Sequence, residues 1–470
     1  MPPAPETSAA PEPAPPFPRT FWTANTTELF ERAAYYAMAS FVVIYLGRLG
    51  LGKYWPSTLN GLLWTLVYFL PILSGTIADV VGFRRSLLVA FVLLAIGYFF
   101  MGYPVWLGGA TLLPQAGMEI TATAREVAPV LLALLLIGMG GSIIKPCISG
   151  TVQKTAAARA TLGFAIFYMV INIGSLTGRG TAYLVRTRTS ISAIFAVAAV
   201  CCVIAFFVVL LFYADPDQAA APTGAPAKPK RRVGRILLDM FLVLGNLRFA
   251  LFLLVSSGFF FLYAQVYNVL PLYLEKVVQK EPPVDIYTMA NPFVIVFFQL
   301  LITKLFGKMR PIRSMVVGAV IIAVAFLLNV VPLFMGGGVR VPLWELIPVG
   351  ALFVVLTVAL VAFGELFTSA RTYEYIGALA PKGQEGLFLG YANLPMAIGS
   401  LVGGPVGAAI FNEVMCKGAV PLESGLLQLK PGSATAGWCI LMGIGVASAA
   451  SMWVYNWWLE RQEAREAMAS

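Results

Sequence analysis

The sequence has little charge for its length. Only 11% of its 470 residues are Asp, Glu, Lys or Arg, whereas an ordinary soluble domain has roughly 25%. A soluble globule of this size needs more charged side chains to cover its surface. With 59% hydrophobic residues and a mean hydropathy of +0.82, the composition excludes a disordered chain and a soluble enzyme, and it indicates a lipid bilayer as the main solvent.

Histidine is absent from the chain. The sequence therefore lacks the commonest metal ligand and the side chain that titrates closest to neutral pH, so any proton transfer has to use carboxylates. Because no nucleophile stands beside a base, we expect no enzyme activity, no metal and no cofactor. The cysteines lack metal-ligand spacing: Cys147, Cys201, Cys202, Cys416 and Cys439.

The formal net charge of +10 depends on where the basic residues lie. They do not alternate with aromatic residues as a nucleic-acid groove requires, so we expect no nucleic-acid partner. More than half lie in or beside one set of alternate loops; Arg84 and Arg85, for example, follow the second apolar segment. Basic loops stay in the cytoplasm, and this asymmetry therefore orients the chain.

Twelve apolar segments are each long enough to cross ~30 Å of hydrocarbon as a helix. An even number of crossings places both termini on one side, the cytoplasmic side by the charge rule. We expect a multi-pass monomer in the inner (plasma) membrane. The segments lie near residues 21–46, 61–81, 87–103, 127–153, 164–185, 191–212, 249–274, 286–306, 315–335, 346–379, 388–411 and 437–458.

A polar stretch divides the chain almost in half, which predicts two six-helix bundles joined by a hinge. The predicted fold class is an all-α membrane protein with twelve transmembrane helices. In order, the predicted units are a disordered cytoplasmic tail at 1–20, an N-terminal bundle at 21–213, a cytoplasmic linker with an amphipathic helix at 214–246, a C-terminal bundle at 247–460 and a cytoplasmic tail at 461–470.

The first segment contains charges that lipid should exclude. One interpretation places them at a helix start, with the charges reaching the membrane surface. Phe21 and Trp22 already supply the interfacial aromatic residues, so we favour a deeper polar site, where each charge costs roughly 2.5 to 3.5 kcal/mol and is normally paired. The spacing places two carboxylates, a guanidinium and two phenols on or beside one helix face: Glu28, Glu31, Arg32, Tyr35 and Tyr36.

Two further charges lie within segments of opposite halves. Lys145, in the fourth segment, needs an anionic partner, and Glu365 in the tenth offers one. Their pairing would bridge the bundles across a central cavity, as a gating salt bridge or as a purely structural one. Three neutral polar residues, each compatible with a helix–helix hydrogen bond, together indicate a site for a zwitterion: Tyr68, Asn172 and Asn291.

A separate motif, GTIADVVGFRR, lies at the cytoplasmic end of the second segment. A tight turn flanked by charges suits a conformational latch between helices, away from the substrate. Arg371 and Glu374, at i and i+3 in the tenth segment, are spaced to pair with each other. The predicted latch residues are Gly75, Asp79, Gly82, Arg84 and Arg85.

These strings resemble known families. GxxxDxxGxRR is similar to the signature of the major facilitator superfamily. ExxERxxYY, at residues 28–36, resembles the first-helix motif of the proton-coupled oligopeptide transporter family. The similarity continues in both halves, with KPCIS at Lys145, FYxxINIGSL at Asn172, ANP at Asn291 and FGELF at Glu365.

The resemblance implies roles. Glu28, Glu31 and Arg32 would couple protons, together with Glu365. Arg32 and Lys145 would receive a peptide carboxylate, while Glu365 would meet the amino terminus and alternate as the salt-bridge partner of Lys145. Two amides would hold the peptide backbone and three tyrosines would line the pocket: Asn172, Asn291, Tyr35, Tyr36 and Tyr68.

The sequence also departs from the family pattern. The linker is too short and too polar for the two additional helices that bacterial members usually insert. Ala39 replaces an arginine, Ala392 replaces a pocket tryptophan, and Arg179 lies where the fifth helix is usually apolar. In the tenth helix, SARTYEY replaces a more apolar stretch. These departures concern the substrate more than the fold.

We therefore expect a proton-coupled symporter that imports di- and tripeptides or related zwitterions by alternating access. A first alternative is a facilitator-fold carrier for another organic anion or zwitterion, which Arg179 and Arg371 favour. A second is a membrane receptor that keeps the fold without transport.

Overall fold

The structure is a computed structural model that describes residues 16–156, 159–216, 242–336, 338–343, 346–380, 388 and 390–469. Three parts of the predicted organisation lie outside the described residues: residues 1–15 of the predicted tail, residues 217–241 of the predicted linker with its amphipathic run, and Ser470. Within them, the regular structure is helical except for two short hairpins, so the predicted all-α class is confirmed. The hairpins pair β1 (Pro342–Leu343) with β2 (Ile347–Pro348), and β3 (Val420–Pro421) with β4 (Leu427–Gln428).

The N-terminal half forms its spans from eight helices. Proline and glycine set the breaks: Pro71 starts a new helix inside the second span, and Gly82, with φ of 97°, makes the tight turn before the third. The helices are α1 (Arg19–Ala39), α2 (Val42–Arg48), α3 (Trp55–Phe69), α4 (Pro71–Val81), α5 (Phe83–Trp106), α6 (Ala124–Ala156), α7 (Ala160–Arg188) and α8 (Ala193–Phe212).

The C-terminal half repeats this architecture. Two of its spans end in π-helical turns, Leu274–Val278 and Ile410–Met415, and one ends in a 3₁₀ turn, Leu328–Leu333. The helices are α9 (Leu247–Ala264), α10 (Val269–Tyr273), α11 (Val284–Thr288), α12 (Ala290–Phe306), α13 (Pro311–Leu327), α14 (Val349–Leu379), α15 (Leu394–Ala409) and α16 (Pro431–Ala469).

Twelve membrane crossings are present in the described chain. Eleven are helices that are long and apolar enough, and the twelfth is the pair α1 and α2, bent by 45°. The prediction of a multi-pass, twelve-helix protein is therefore confirmed. The structure differs at the end, because α16 continues to Ala469 through the predicted tail; the sequence there, ERQEAREAMA, consists mainly of strong helix formers.

The two halves contact each other at the end of the bundle opposite Arg19, which we call the closed end. Four ion pairs of the described residues cross between the halves there: Arg48 with Glu275 at 2.6 Å and with Glu281 at 3.7 Å, Lys53 with Glu413 at 2.7 Å, and Arg186 with Asp285 at 3.3 Å. Asn412 also donates to the Lys53 carbonyl at 3.0 Å. The closed end is thus held by charge pairs between the bundles.

Glycines bring α3 and α15 into backbone contact at the boundary between the halves. A Cβ atom on Gly61 would lie 2.5 Å from the carbonyl oxygen of Ser400, and Gly404 would meet the Ser57 carbonyl in the same way. Side chains larger than hydrogen cannot occupy these positions without moving the helices apart. This contact sets the distance between the two bundles beside the central site.

Candidate functional site

The charge cluster of α1 lies deep in the N-terminal bundle. Glu28, Glu31 and Arg32 are 0%, 1% and 2% exposed. Arg32 Nε lies 2.5 Å from Glu31 Oε2 and 3.4 Å from Glu28 Oε1, and the guanidinium lies over the rings of Tyr35 and Tyr36 at 5.1 and 5.9 Å. This burial excludes the interpretation in which the charges reach the membrane surface.

Local packing explains how α1 holds these charges. A Cβ atom on Gly174 of α7 would lie 2.7 Å from Arg32 Cβ, so glycine lets α7 approach α1 closely. Both carboxylate oxygens of Glu28 and the Nη2 of Arg32 have no hydrogen-bond partner in the described structure. Buried polar groups are normally bonded, and the cluster therefore keeps capacity for a proton or a ligand.

Lys145 and Glu365 lie on opposite bundles. The Lys145 ammonium sits over the Tyr68 ring at 4.7 Å and forms no ion pair with any described residue. Glu365 accepts a hydrogen bond of 3.1 Å from Asn291 Nδ2. The two charges act on each other electrostatically without forming a salt bridge in this conformation, and the gating salt bridge stays a prediction.

Asn172 also lies in the interior of α7. It is 5% exposed, and its Nδ2 donates to the Tyr168 carbonyl of its own helix at 2.9 Å. Its role in binding a substrate stays a prediction.

An aromatic group that sequence reasoning missed completes the site. Trp64 of α3 is 3% exposed, and its indole N–H has no partner in the described structure. Its ring lies 5.7 Å from Tyr68 and 4.7 Å from Tyr267, with Tyr35 and Tyr263 at 6.1 and 6.3 Å. The spacing of Tyr263 and Tyr267, one helical turn apart in an apolar run, could have indicated their shared face.

Comparison with known proteins finds similar transporters. The Major Facilitator Superfamily profile matches residues 120–344. Dipeptide and tripeptide permease A of Citrobacter koseri is 25% identical over 489 aligned residues, which cover 89% of this chain and 90% of that protein. Peptide transporter family 1 of Drosophila melanogaster is 32% identical over 168 residues, 34% of this chain and 21% of that protein.

Solved structures match the fold. A peptide transporter of the POT family crystallised with alafosfalin has a TM-score of 0.70 at 19% identity, over 93% of each chain. A POT family transporter with bound 5-aminolevulinic acid has a TM-score of 0.69 at 19% identity, over 93% of this chain and 96% of that one. The chain is thus similar in sequence to the dipeptide and tripeptide permeases, and it has the fold of the POT family transporters.

The two arginines that depart from the family pattern have different positions. Arg371 donates to the carbonyls of Phe306 and Gly307 at 3.1 and 2.8 Å and pairs with Glu374 at 2.5 Å, as their spacing predicted. It caps the end of α12 and has no place in the central site. Arg179, in contrast, lies beside Tyr36 of the site, at 4.6 Å.

The alanine replacements lie in packed regions. Ala39, 2% exposed, belongs to the main hydrophobic core. Ala392, 4% exposed, packs in a second apolar cluster that contains Phe249, Phe388 and Tyr391. Ala392 therefore packs in this second cluster, and it does not take the place of a pocket tryptophan beside the charges of α1.

The superfamily signature after the second span forms a tight joint. Arg84 Nη2 donates to the Leu210 carbonyl at the end of α8, at 2.7 Å, and a Cβ atom on Gly75 would lie 3.2 Å from Pro146. The turn at Gly82 matches the prediction. Arg85 is exposed, and the side chain of Asp79 lies outside the described structure, so the latch role stays a prediction.

Proposed function

We propose that the protein is a proton-coupled symporter that imports di- and tripeptides, or related amino-acid-derived zwitterions, by alternating access. One observation carries the proposal: Lys145 and Glu365, opposite in charge and contributed by different bundles, are not paired with each other. A zwitterion carries the two charges that complement them. The substrates for which the relatives are named, dipeptides and tripeptides, agree with this chemistry.

The binding roles follow from the free hydrogen-bonding capacity. The peptide carboxylate meets Lys145 and the unused Nη2 of Arg32, and the peptide amino group meets Glu365. Asn172 and Asn291 bond the peptide backbone. Tyr35, Tyr36 and Tyr68, with Trp64, form the apolar walls that small-molecule pockets require.

Proton coupling uses the same cluster. Arg32 is the nearest counter-charge of both Glu28 and Glu31. When a peptide carboxylate draws the guanidinium away, the cluster loses its positive charge, and a proton bound in the cluster restores the balance. Peptide and proton then favour the same conformations, and this mutual dependence is thermodynamic coupling.

Alternating access needs two ends that close in turn. We infer that the closed end faces the outside and that the basic loops with both termini face the cytoplasm, in an inner membrane. The ion pairs of the closed end break when it opens, and the pairing of Lys145 with Glu365 closes the other end. During this change, latch residues such as Arg84 stabilise the contact between α5 and α8.

Of the alternatives, transport of another organic anion keeps one supporting observation. Arg179 remains close to the site, whereas Arg371 is used in capping α12. The described residues contain no group of three or more metal-ligating side chains, and we propose no cofactor. No partner chain is needed to build the site, and we propose a monomer as the transporting unit.

Uptake into proteoliposomes tests the function. Purified protein is reconstituted, an inward proton gradient is imposed, and accumulation of labelled Ala-Ala and Ala-Ala-Ala is followed with and without a protonophore. We expect accumulation above equilibrium that the protonophore abolishes. Lack of uptake of any peptide would refute the peptide claim, and peptide binding without flux would instead support a receptor.

A further inference from the structure

Arg179 is a buried cation without a carboxylate partner. It is 0% exposed, yet its guanidinium contacts only neutral groups in the described structure: it donates to Thr288 Oγ1 and Tyr267 OH at 3.1 Å each, and to Ser175 Oγ. It also lies over the Tyr36 ring at 4.6 Å. An ionised group removed from water is expensive unless an opposite charge compensates it.

The neighbouring charges do not supply that compensation. Of the three carboxylates in the central site, Glu28 and Glu31 are both engaged by Arg32. Glu365 remains, bonded to Asn291, and it faces two cations, Lys145 and Arg179, without an ion pair to either. The site thus has three cations and three carboxylates, but a zwitterion that pairs with Lys145 and Glu365 leaves Arg179 without an anion.

Two of the four groups that contact Arg179 belong to the other half of the molecule. Arg179 lies on α7, whereas Tyr267 follows α9 and Thr288 ends α11. Thr288 is also bonded to Ser40 at the bend of the first span, at 3.1 Å. Separation of the halves at the closed end removes both C-terminal partners from the guanidinium. An entering substrate then meets an arginine with free donors.

We propose that Arg179 binds a carboxylate on the substrate's side chain, so that the transporter prefers peptides containing Asp or Glu over their neutral and basic counterparts. This inference rests on the proposed function. An Arg–carboxylate pair supplies charge-assisted, often bidentate hydrogen bonds, and it gives Arg179 the anion that the described residues do not provide. A basic side chain in the same place adds a like charge and is disfavoured.

Competition between isosteric peptides tests the proposal. Uptake of labelled Ala-Ala into proteoliposomes is inhibited with unlabelled Ala-Glu, Ala-Gln or Ala-Lys; the first two differ in charge but hardly in size. We expect Ala-Glu to inhibit at a concentration about tenfold lower than Ala-Gln, which corresponds to about 1.4 kcal/mol. Ala-Lys should inhibit least.

Variants separate recognition from a structural role. Arg179→Gln should bring the Ala-Glu and Ala-Gln inhibition constants together, and Arg179→Lys, which keeps the charge, should retain part of the difference. Arg371→Gln is the matched control, because it removes an arginine that caps α12 and should leave the ratio unchanged. Thermal stabilisation of purified wild-type protein by Ala-Glu over Ala-Gln provides a readout that does not need transport.

The outcomes are distinguishable. Equal inhibition by Ala-Glu and Ala-Gln in the wild type, or an Arg179→Gln variant that weakens all peptides by the same factor, overturns the inference and leaves Arg179 a structural contact. If no peptide is transported, the proposed function fails. Selective stabilisation by Ala-Glu would then still uphold recognition of the acidic group, and equal stabilisation would refute it.

Discussion

Arg48 at the closed end and Arg32 in the central site are both buried arginines flanked by carboxylates, but their surroundings differ. Arg48 pairs with Glu275 on the other bundle. Arg32 pairs with Glu28 and Glu31 of its own helix, and donors and acceptors of that cluster remain free. Pairs between halves hold a conformation, whereas a cluster within one helix with free capacity can exchange partners. The two regions therefore bury charge for different purposes.

The largest effect should come from the central cluster. Glu31→Gln removes a carboxylate that exchanges with Arg32, so we expect loss of gradient-driven uptake, while peptide exchange across the membrane continues. Driven uptake and counterflow in proteoliposomes separate the two. Glu374→Gln, on the exposed partner of Arg371, is the control. Driven uptake at the wild-type rate in the Glu31 variant would remove Glu31 from the coupling mechanism.

A change at the closed end should alter conformation before it alters binding. Arg48→Gln leaves Glu275, 1% exposed, without its partner, and breaking a buried pair costs about 3 to 5 kcal/mol. We expect the closed end to open, with a lower melting temperature and greater labelling of a cysteine introduced there. Adding Glu275→Gln should restore part of the stability. An unchanged labelling rate would contradict a holding role for this pair.

Lys145→Gln should weaken peptide binding and leave the stability of the protein nearly unchanged. Lys145 has no ion pair in this conformation, so its removal leaves no described carboxylate without its partner and should change thermal stability little. A hydrogen bond to a charged group contributes about 1.5 to 3 kcal/mol, so we expect peptide affinity to fall by roughly one to two orders of magnitude. Isothermal calorimetry measures the affinity. Unchanged affinity would place the peptide carboxylate elsewhere.

The smallest effect is expected at Lys53, whose pair with Glu413 is exposed. Its hydrogen bond to Glu413 raises the pKa of Lys53 above the usual value, so any stabilisation is present at neutral pH and is lost as the pH rises through the raised pKa. Because exposed pairs contribute little, Lys53→Ala should leave melting temperature and uptake unchanged. A clear destabilisation would show that this exposed pair contributes as much to the stability of the closed end as the buried pairs do.

Much of this arrangement could be predicted from the sequence, because charge is rare in apolar segments and each case needs an explanation. The length of the apolar segments predicted the twelve crossings, and the spacing of Arg371 and Glu374 predicted their pairing. Trp64 could not be, since an aromatic residue in an apolar span has the same pattern whether it lines a cavity or fills a core. Whether Lys145 meets Glu365 depends on conformation, which no spacing determines.

The glycine contact between α3 and α15 has a mechanical consequence. Helices usually interlock through side-chain ridges, and sliding one past another requires those ridges to climb over each other. At Gly61 and Gly404 the surfaces are bare backbone, each facing a serine carbonyl, so there are no ridges to climb. At this contact one bundle can move against the other with a low energy barrier. Alanine at either position would roughen that surface and slow the motion.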